Sequence, residues 1–249
     1  IIVEVGNQEK EEKEEEILVV EKQEKQVQTF IGNDRPIAVM IDNNKKAWPQ
    51  ANLEKAYIVY EIVVEGGETR LMALFKGQDL EKVGPVRSSR HYFLDYALEN
   101  DAIYVHHGWS PQAENDISKL RVNNINGISE SSKDFSRVKD KDAPHNMFTS
   151  TTSILKIAER KGYELTSNKK SVLNYVAEEF DLEMGISAMN VTIPHSKLQT
   201  VKYEYDEESN SYSNKTRYYK CINIGYDTST GKVNSITFTQ IKLNASIDS

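Results

Sequence analysis

Two apolar runs, residues 57–64 and 70–75, are joined by Glu65-Gly66-Gly67-Glu68-Thr69, a link of five residues. A crossover between parallel strands needs roughly a dozen residues, so these runs are expected to pair antiparallel. Upstream, residues 37–41 form an unbroken apolar run that stops at Asp42-Asn43-Asn44. A short continuous apolar run bounded by a turn cluster is the pattern of a strand covered on both faces. Residues 102–107 repeat the pattern, after a stretch over 91–98 that places Tyr92, Phe93, Tyr96 and Ala97 on one helical face. A sheet with one antiparallel pair and buried strands separated by helices is mixed. The expected fold is therefore α/β with α+β character, a mixed β-sheet flanked by helices.

Two further helices have legible ends. Pro111 suits a first helical position and leads into the apolar positions of 116–120. Thr149-Ser150-Thr151 caps a helix carrying Ile154, Leu155, Ile157 and Ala158 to about Lys161, with Gly162 as its stop. Beyond a helix expected over 171–180, the chain changes character. Residues 191–193, 200–205, 218–224 and 233–243 alternate apolar and polar side chains between turn clusters, a second and smaller β-rich unit. The expected organisation is an acidic linker over 1–34, a main α/β domain over 35–165 and a β-rich domain over 166–249.

The linker holds nine Glu, one Asp and four Lys, or −6 of the chain's net −7. The remainder is nearly neutral and has no Lys/Arg block, which argues against a dedicated nucleic-acid binder. No apolar stretch approaches the length of a membrane span, and no signal peptide is recognisable. The single cysteine, Cys221, excludes an internal disulfide framework and reads as a small core residue.

The polar motifs cluster around the predicted strand ends. Gly84-Pro85-Val86-Arg87-Ser88-Ser89-Arg90 sets two guanidinium groups and two hydroxyls at an expected helix start, where backbone NH groups and the helix dipole favour an anion. Period-two alternation puts Glu61 and Glu65 on one strand face, with Arg70 opening the paired strand nearby. That cluster reads either as a structural ion pair or as Arg70 joining Arg87 and Arg90 around a carboxylate or phosphate. His106 and His107 are adjacent on a strand and point to opposite faces, so they do not form a two-histidine metal grip, and no metal is expected. Trp109 reads as a stacking platform or a core residue, and His145-Asn146 after Pro144 as a ligand-presenting or self-pinned loop. Ser88 and Ser89 lack a Gly-x-Ser-x-Gly elbow and read equally as helix caps. Walker-type and dinucleotide-type glycine patterns are absent, so no cofactor is expected.

Taken in order, residues 35–43, Tyr60-Glu61 with Glu65-Gly66-Gly67-Glu68-Thr69-Arg70, the 84–90 motif, His106-His107-Gly108-Trp109-Ser110 and Ala143-Pro144-His145-Asn146 resemble the YerB-like family of bacterial lipoproteins. The resemblance is clear over about 35–162 and extends to about 212, through Tyr203-Glu204-Tyr205-Asp206. Tyr57 stands where the family more often shows an acidic residue. The resemblance implies a two-domain α/β protein held outside the cytoplasmic membrane by a lipid on an N-terminal Cys, with the acidic segment as spacer. It implies no reaction, since the family has no established biochemical activity.

Two functional readings follow. The first is an envelope-associated binding module in which Glu61, Glu65, Arg70, Arg87, Ser88, Arg90, His106, Trp109, His145 and Asn146 line a pocket for an anionic or sugar-like ligand or a partner protein, with Tyr104 and Trp109 stacking. The second is an enzyme acting on an envelope polymer by hydrolysis or phosphoryl transfer, with Arg87 and Arg90 stabilising charge and Glu61 or Glu65 as base or cation ligand.

Overall fold

The computed structural model describes residues 32–173, 189–206, 211–213, 225–227 and 232–234. Its centre is a five-stranded sheet of β1 (Ile37–Asp42), β2 (Ile58–Val63), β3 (Thr69–Phe75), β4 (Ile103–His106) and β5 (Asn124–Asn126), in the order β2-β3-β1-β4-β5. β3 runs antiparallel to both β2 and β1, while β1, β4 and β5 are mutually parallel. The sheet is mixed, as the five-residue link requires. The carboxyl ends of four strands and the start of β3 consequently share one edge.

Helices cover both faces, which explains why β1 is apolar from Ile37 to Ile41 and buried at every position. On one face Ala38, Met40, Met72, Leu74 and Tyr104 pack with Leu94 and Ala97 of α1 (Leu94–Glu99) and Ile117 of α2 (Pro111–Lys119). On the other Val39, Ile41, Leu71, Phe75 and Val105 pack with Ile154, Ile157 and Ala158 of α3 (Thr151–Arg160). The expected cap is present, Ser150 Oγ accepting from Ser153 N at 3.0 Å, and Ser110 caps α2 in the same way, accepting from Ala113 N at 3.2 Å. A two-stranded ladder of β6 (Ser136–Arg137) and β7 (Met147–Phe148) precedes α3.

Farther on, β8 (Asn190–Pro194), β9 (Thr200–Asp206) and β10 (Ser211–Ser213) form an antiparallel sheet, and β11 (Gly225–Asp227) pairs with β12 (Lys232–Asn234). Ser196 Oγ donates to the Gly67 carbonyl, tying the β8–β9 turn to the β2–β3 link. The acidic linker up to residue 31, Cys221, the strand expected over 218–224 and most of that over 233–243 lie outside the described residues. Of the helix expected over 171–180, residues 171–173 are non-helical and the rest lie outside.

The segment around residue 90 differs from the sequence expectation. His91–Phe93 is a single 3₁₀ turn, and the α-helix begins only at Leu94 and lasts six residues. Residues 84–90 instead run extended between the end of β1 and the 106–110 loop. Arg87 N donates to Met40 O at 2.9 Å, Val86 N to Met147 O at 2.6 Å and Ser89 N to Gly108 O at 2.9 Å. These amides are committed to the sheet edge, so Arg87 stands away from the helix start and only Arg90 adjoins it, at the N-cap of the 3₁₀ turn. Neither serine caps a helix: Ser88 Oγ donates to His107 O at 3.0 Å, and Ser89 Oγ accepts from the Tyr104 hydroxyl at 2.9 Å.

Gly84 starts this segment at φ +143°, and a Cβ there would stand 2.8 Å from the Met147 carbonyl oxygen and 2.9 Å from the Phe148 ring. Gly162 also has positive φ, but open space surrounds it. Gly84→Ala is therefore expected to cost about 2–4 kcal/mol in urea unfolding, against about 1 kcal/mol for Gly162→Ala. Equal costs would mean that the 84–90 segment is not locked against β7.

His106 is fully buried at the end of β4, its ring centroid 5.3 Å from that of Tyr104 and 5.4 Å from that of Trp109. Its Nδ1 faces Gly108 O at 2.8 Å and its Nε2 faces Asn124 Oδ1 at 3.2 Å. Burial pushes its pKa down from 6.5 to about 4, so the ring is neutral at pH 7. Between those values the unfolded chain binds a proton that the native ring refuses, so stability falls as pH drops from about 6.5 toward 4. Between pH 6.5 and 4.5 His106 is expected to contribute about 2 kcal/mol of that loss. His106→Gln, although less stable at pH 7, is predicted to show a correspondingly shallower decline in urea unfolding. An unchanged slope would contradict the assignment.

Candidate functional site

The shared sheet edge gathers side chains distant in sequence around Asp42. Its carboxylate, the last residue of β1, is 4% exposed. Asp42 Oδ2 accepts from His145 Nδ1 at 2.8 Å and faces Arg87 Nε at 3.2 Å, while Oδ1 accepts from Asn44 N at 3.0 Å. A carboxylate only accepts, so the His145 proton on this contact sits on Nδ1 and leaves Nε2 without a hydrogen bond among the described residues. Arg87 also reaches the Pro144 carbonyl at 3.4 Å, fastening the 143–146 loop to the 84–90 segment.

Arg70 lies opposite Asp42 in the β1–β3 register and is 6% exposed. Its one hydrogen bond among the described residues is from Nη1 to Ser88 O at 2.6 Å, and it has no carboxylate within ion-pair distance there. Burial and the neighbouring Arg90 and Arg87 charges push its pKa down to about 10, against the opposing pull of Asp42 and Glu65. Arg90 is held on the rim, its Nε 2.6 Å from Glu65 Oε1 and its Nη1 bonded to Ser89 O. That hydrogen bond holds the exposed Glu65 carboxyl below its ordinary pKa. Three guanidinium groups thus converge where two carboxylates, Asp42 and Glu65, are paired, leaving the buried Arg70 without direct charge compensation.

The structure divides what the sequence groups. In the β2–β3 register Arg70 faces Ile62, and Glu61 faces Leu71, so Glu61 and Arg70 occupy opposite faces of the sheet. Glu61 Oε1 instead accepts from Asn43 Nδ2 at 3.0 Å and Thr69 Oγ1 at 2.7 Å, with His195 Nε2 at 3.9 Å. Glu65 is not in the strand but in a 3₁₀ turn, Glu65–Gly67. Asn146 accepts from Arg137 and donates to Val138 O and Lys141 O, which pins the loop upstream of it. His106 is sealed in the core, whereas the half-buried His107 feels Arg137 and Arg87 and has its pKa lowered by burial first. Trp109 lines a separate cavity beside α2 and β5. Arg70, Arg87, Arg90, Glu65 and His145 are the predicted residues brought together, with Ser88 contributing its carbonyl.

Asp42 is the central residue that sequence reasoning passed over. It appears there as the first member of a turn cluster, and its partners lie 45 and 103 positions downstream. The available signal was a charged residue closing a strand buried on both faces, where a carboxylate requires cationic partners.

The family model described as "Protein of unknown function (DUF3048) N-terminal domain" matches residues 23–164, which include the whole sheet edge. The chain is 37% identical over 185 residues to "Putative lipoprotein YerB" of Bacillus subtilis, covering 72% of this chain and 54% of that protein. The crystal structure of the Bacillus subtilis YerB protein superposes with a TM-score of 0.65 at 36% identity, covering 81% of this chain and 66% of that one. The chain spans about half the length of this curated relative. A family match over more than half of the residues, together with that identity, establishes that the chain belongs to the YerB-like DUF3048 family.

Proposed function

We propose that this chain is part of an extracytoplasmic, lipid-anchored envelope protein whose sheet edge binds an anionic ligand between Arg70, Arg87 and Arg90. The observation that carries the reading is Arg70, a nearly buried guanidinium with one carbonyl partner and no carboxylate within ion-pair distance among the described residues. A buried cation without a counter-charge is costly, and a phosphate or carboxylate entering from solvent would supply both charge and acceptors. The lipid anchor rests on the relative's description as a lipoprotein, and no described helix is long and apolar enough to cross a membrane. The acidic residues 1–34 would serve as spacer for a main unit over 35–165 and a smaller one over 166–249.

One observation favours a second reading, hydrolysis or phosphoryl transfer on an envelope polymer. His145 is oriented through Nδ1 by Asp42, the arrangement that prepares the opposite imidazole nitrogen to take a proton. In that case His145, and neither Glu61 nor Glu65, would act as base, since Asn43 and Thr69 engage the first carboxylate and Arg90 the second.

Thermal-shift titration with phosphate, pyrophosphate and citrate tests the binding reading. Each ligand that binds the native state raises Tm with concentration. Arg70→Met removes a buried charge and keeps the aliphatic volume, so it is expected to keep Tm within about 2 °C of the parent and to abolish the ligand-induced rise. Arg87→Ala and Arg90→Ala should each weaken the ligand response. No anion-dependent rise in the parent, with Arg70→Met strongly destabilised, would make the arginine purely structural.

A further inference from the structure

A cavity of about 660 Å³ opens between α2, β5 and the 106–110 loop, two strands along the sheet edge from β1. Its size is that of a small-ligand site. Three features of its wall offer contacts to a ligand beyond their part in the fold. Asn126 is 8% exposed and fixed through its carbonyl, since Oδ1 accepts from Gly108 N at 2.9 Å and Ile128 N at 3.2 Å. Its Nδ2 makes no hydrogen bond among the described residues, so two amide protons remain available to the cavity.

Arg121 is the second feature. It follows α2 in a left-handed conformation, φ +54°, with Arg121 N bonded to Ser118 O at 3.2 Å and Val122 N to Ile117 O at 3.0 Å. This is a Schellman ending, where glycine is the usual occupant because a side chain carries a conformational cost. Here an exposed arginine occupies the position and lines the cavity, its side chain making no hydrogen bond or ion pair among the described residues. The position brings an exposed cation to the cavity mouth at a backbone conformation that favours glycine.

Trp109 is the third. Its ring stands against the buried His106, which in turn stands against Tyr104, so the indole is a rigid wall fixed from behind. A half-buried tryptophan of this kind presents an apolar face and an NH donor to a ring-shaped polar ligand. Glu114 and Asn115 on α2 add a carboxylate acceptor and an amide, and Lys161 adds a cation at 3.9 Å from Glu130.

We infer that this cavity binds an acidic saccharide, a pyranose ring carrying a carboxylate. The ring stacks on Trp109, its hydroxyls meet the Asn126 and Asn115 amides and Glu114, and its carboxylate meets Arg121 and Lys161. The site is independent of the arginine edge at β1, and either can fail without the other.

The test is a ¹H–¹⁵N correlation titration of the 249-residue chain with glucuronate, glucose and inorganic phosphate, monitoring the Trp109 indole and Asn126 side-chain amide signals. Glucuronate is expected to shift both saturably, with glucose at least about ten-fold weaker and phosphate without effect on the indole. Arg121→Gly is expected to keep Tm at or above the parent value, because glycine suits the position, while weakening glucuronate binding about ten-fold. Arg121→Asn, which also tolerates this backbone, should bind as weakly as Arg121→Gly. The inference is overturned if glucuronate gives no saturable indole shift, if phosphate reproduces the shift, or if a folded Arg121 variant binds as the parent does.

Discussion

The buried carboxylate of Asp42 is the contact on which the sheet edge depends. One oxygen serves two partners, Arg87 and His145, and the other holds the turn that follows β1. Each partner belongs to a separate stretch of chain, so a single side chain joins β1, the 84–90 segment and the 143–146 loop. Leaving such a carboxylate buried without these partners would cost on the order of 3–5 kcal/mol, which makes the three segments mutually dependent. The arrangement is local in space and long-range in sequence.

The sheet topology explains why polar chemistry collects at this edge. With β1, β2, β4 and β5 running the same way, their carboxyl ends deliver Asp42, the β2–β3 link, the 106–110 loop and Asn126 to one rim. In open sheets with helices on both faces, crevices form at such ends. Antiparallel β3 adds Arg70 at its start, a position that an all-parallel sheet would fill with the far end of a strand. The rim therefore carries two unlike regions: an arginine-rich stretch at β3 and β1, and an amide- and tryptophan-lined cavity at β5. His106 and Tyr104 fill the interior between them and stiffen Trp109 from behind.

Much of the sheet was legible in the chain, because length and periodicity decide it locally. The five-residue Gly66-Gly67 link settles the antiparallel pair, and the unbroken apolar runs settle β1 and β4. The cap at Ser150 follows from residue type alone. The short β5 was missed because Asn124-Ile125-Asn126 offers one apolar position, and its pairing is supplied by β4. The helix expected from residue 91 is present, but its first turn, His91–Phe93, is 3₁₀ and the α-helix proper starts at Leu94. For the site, the arginines and His145 were visible as residue types. Their partner Asp42 was not, since nothing in a turn cluster reveals which distant cations will close over it. Glu61 misled because strand alternation fixes its face but not the register that sets Arg70 on the other.

Arg70, Arg87 and Arg90 are proposed to form a site completed by an anion from solvent. Soaking crystals of the protein in selenate and locating the anomalous scatterers tests it most directly. A selenium peak is expected within hydrogen-bond reach of the Arg70 guanidinium and at least one of the other two arginines, with Asp42 still paired to His145. A site holding only water at saturating selenate, with the three arginines in the same positions, would contradict it.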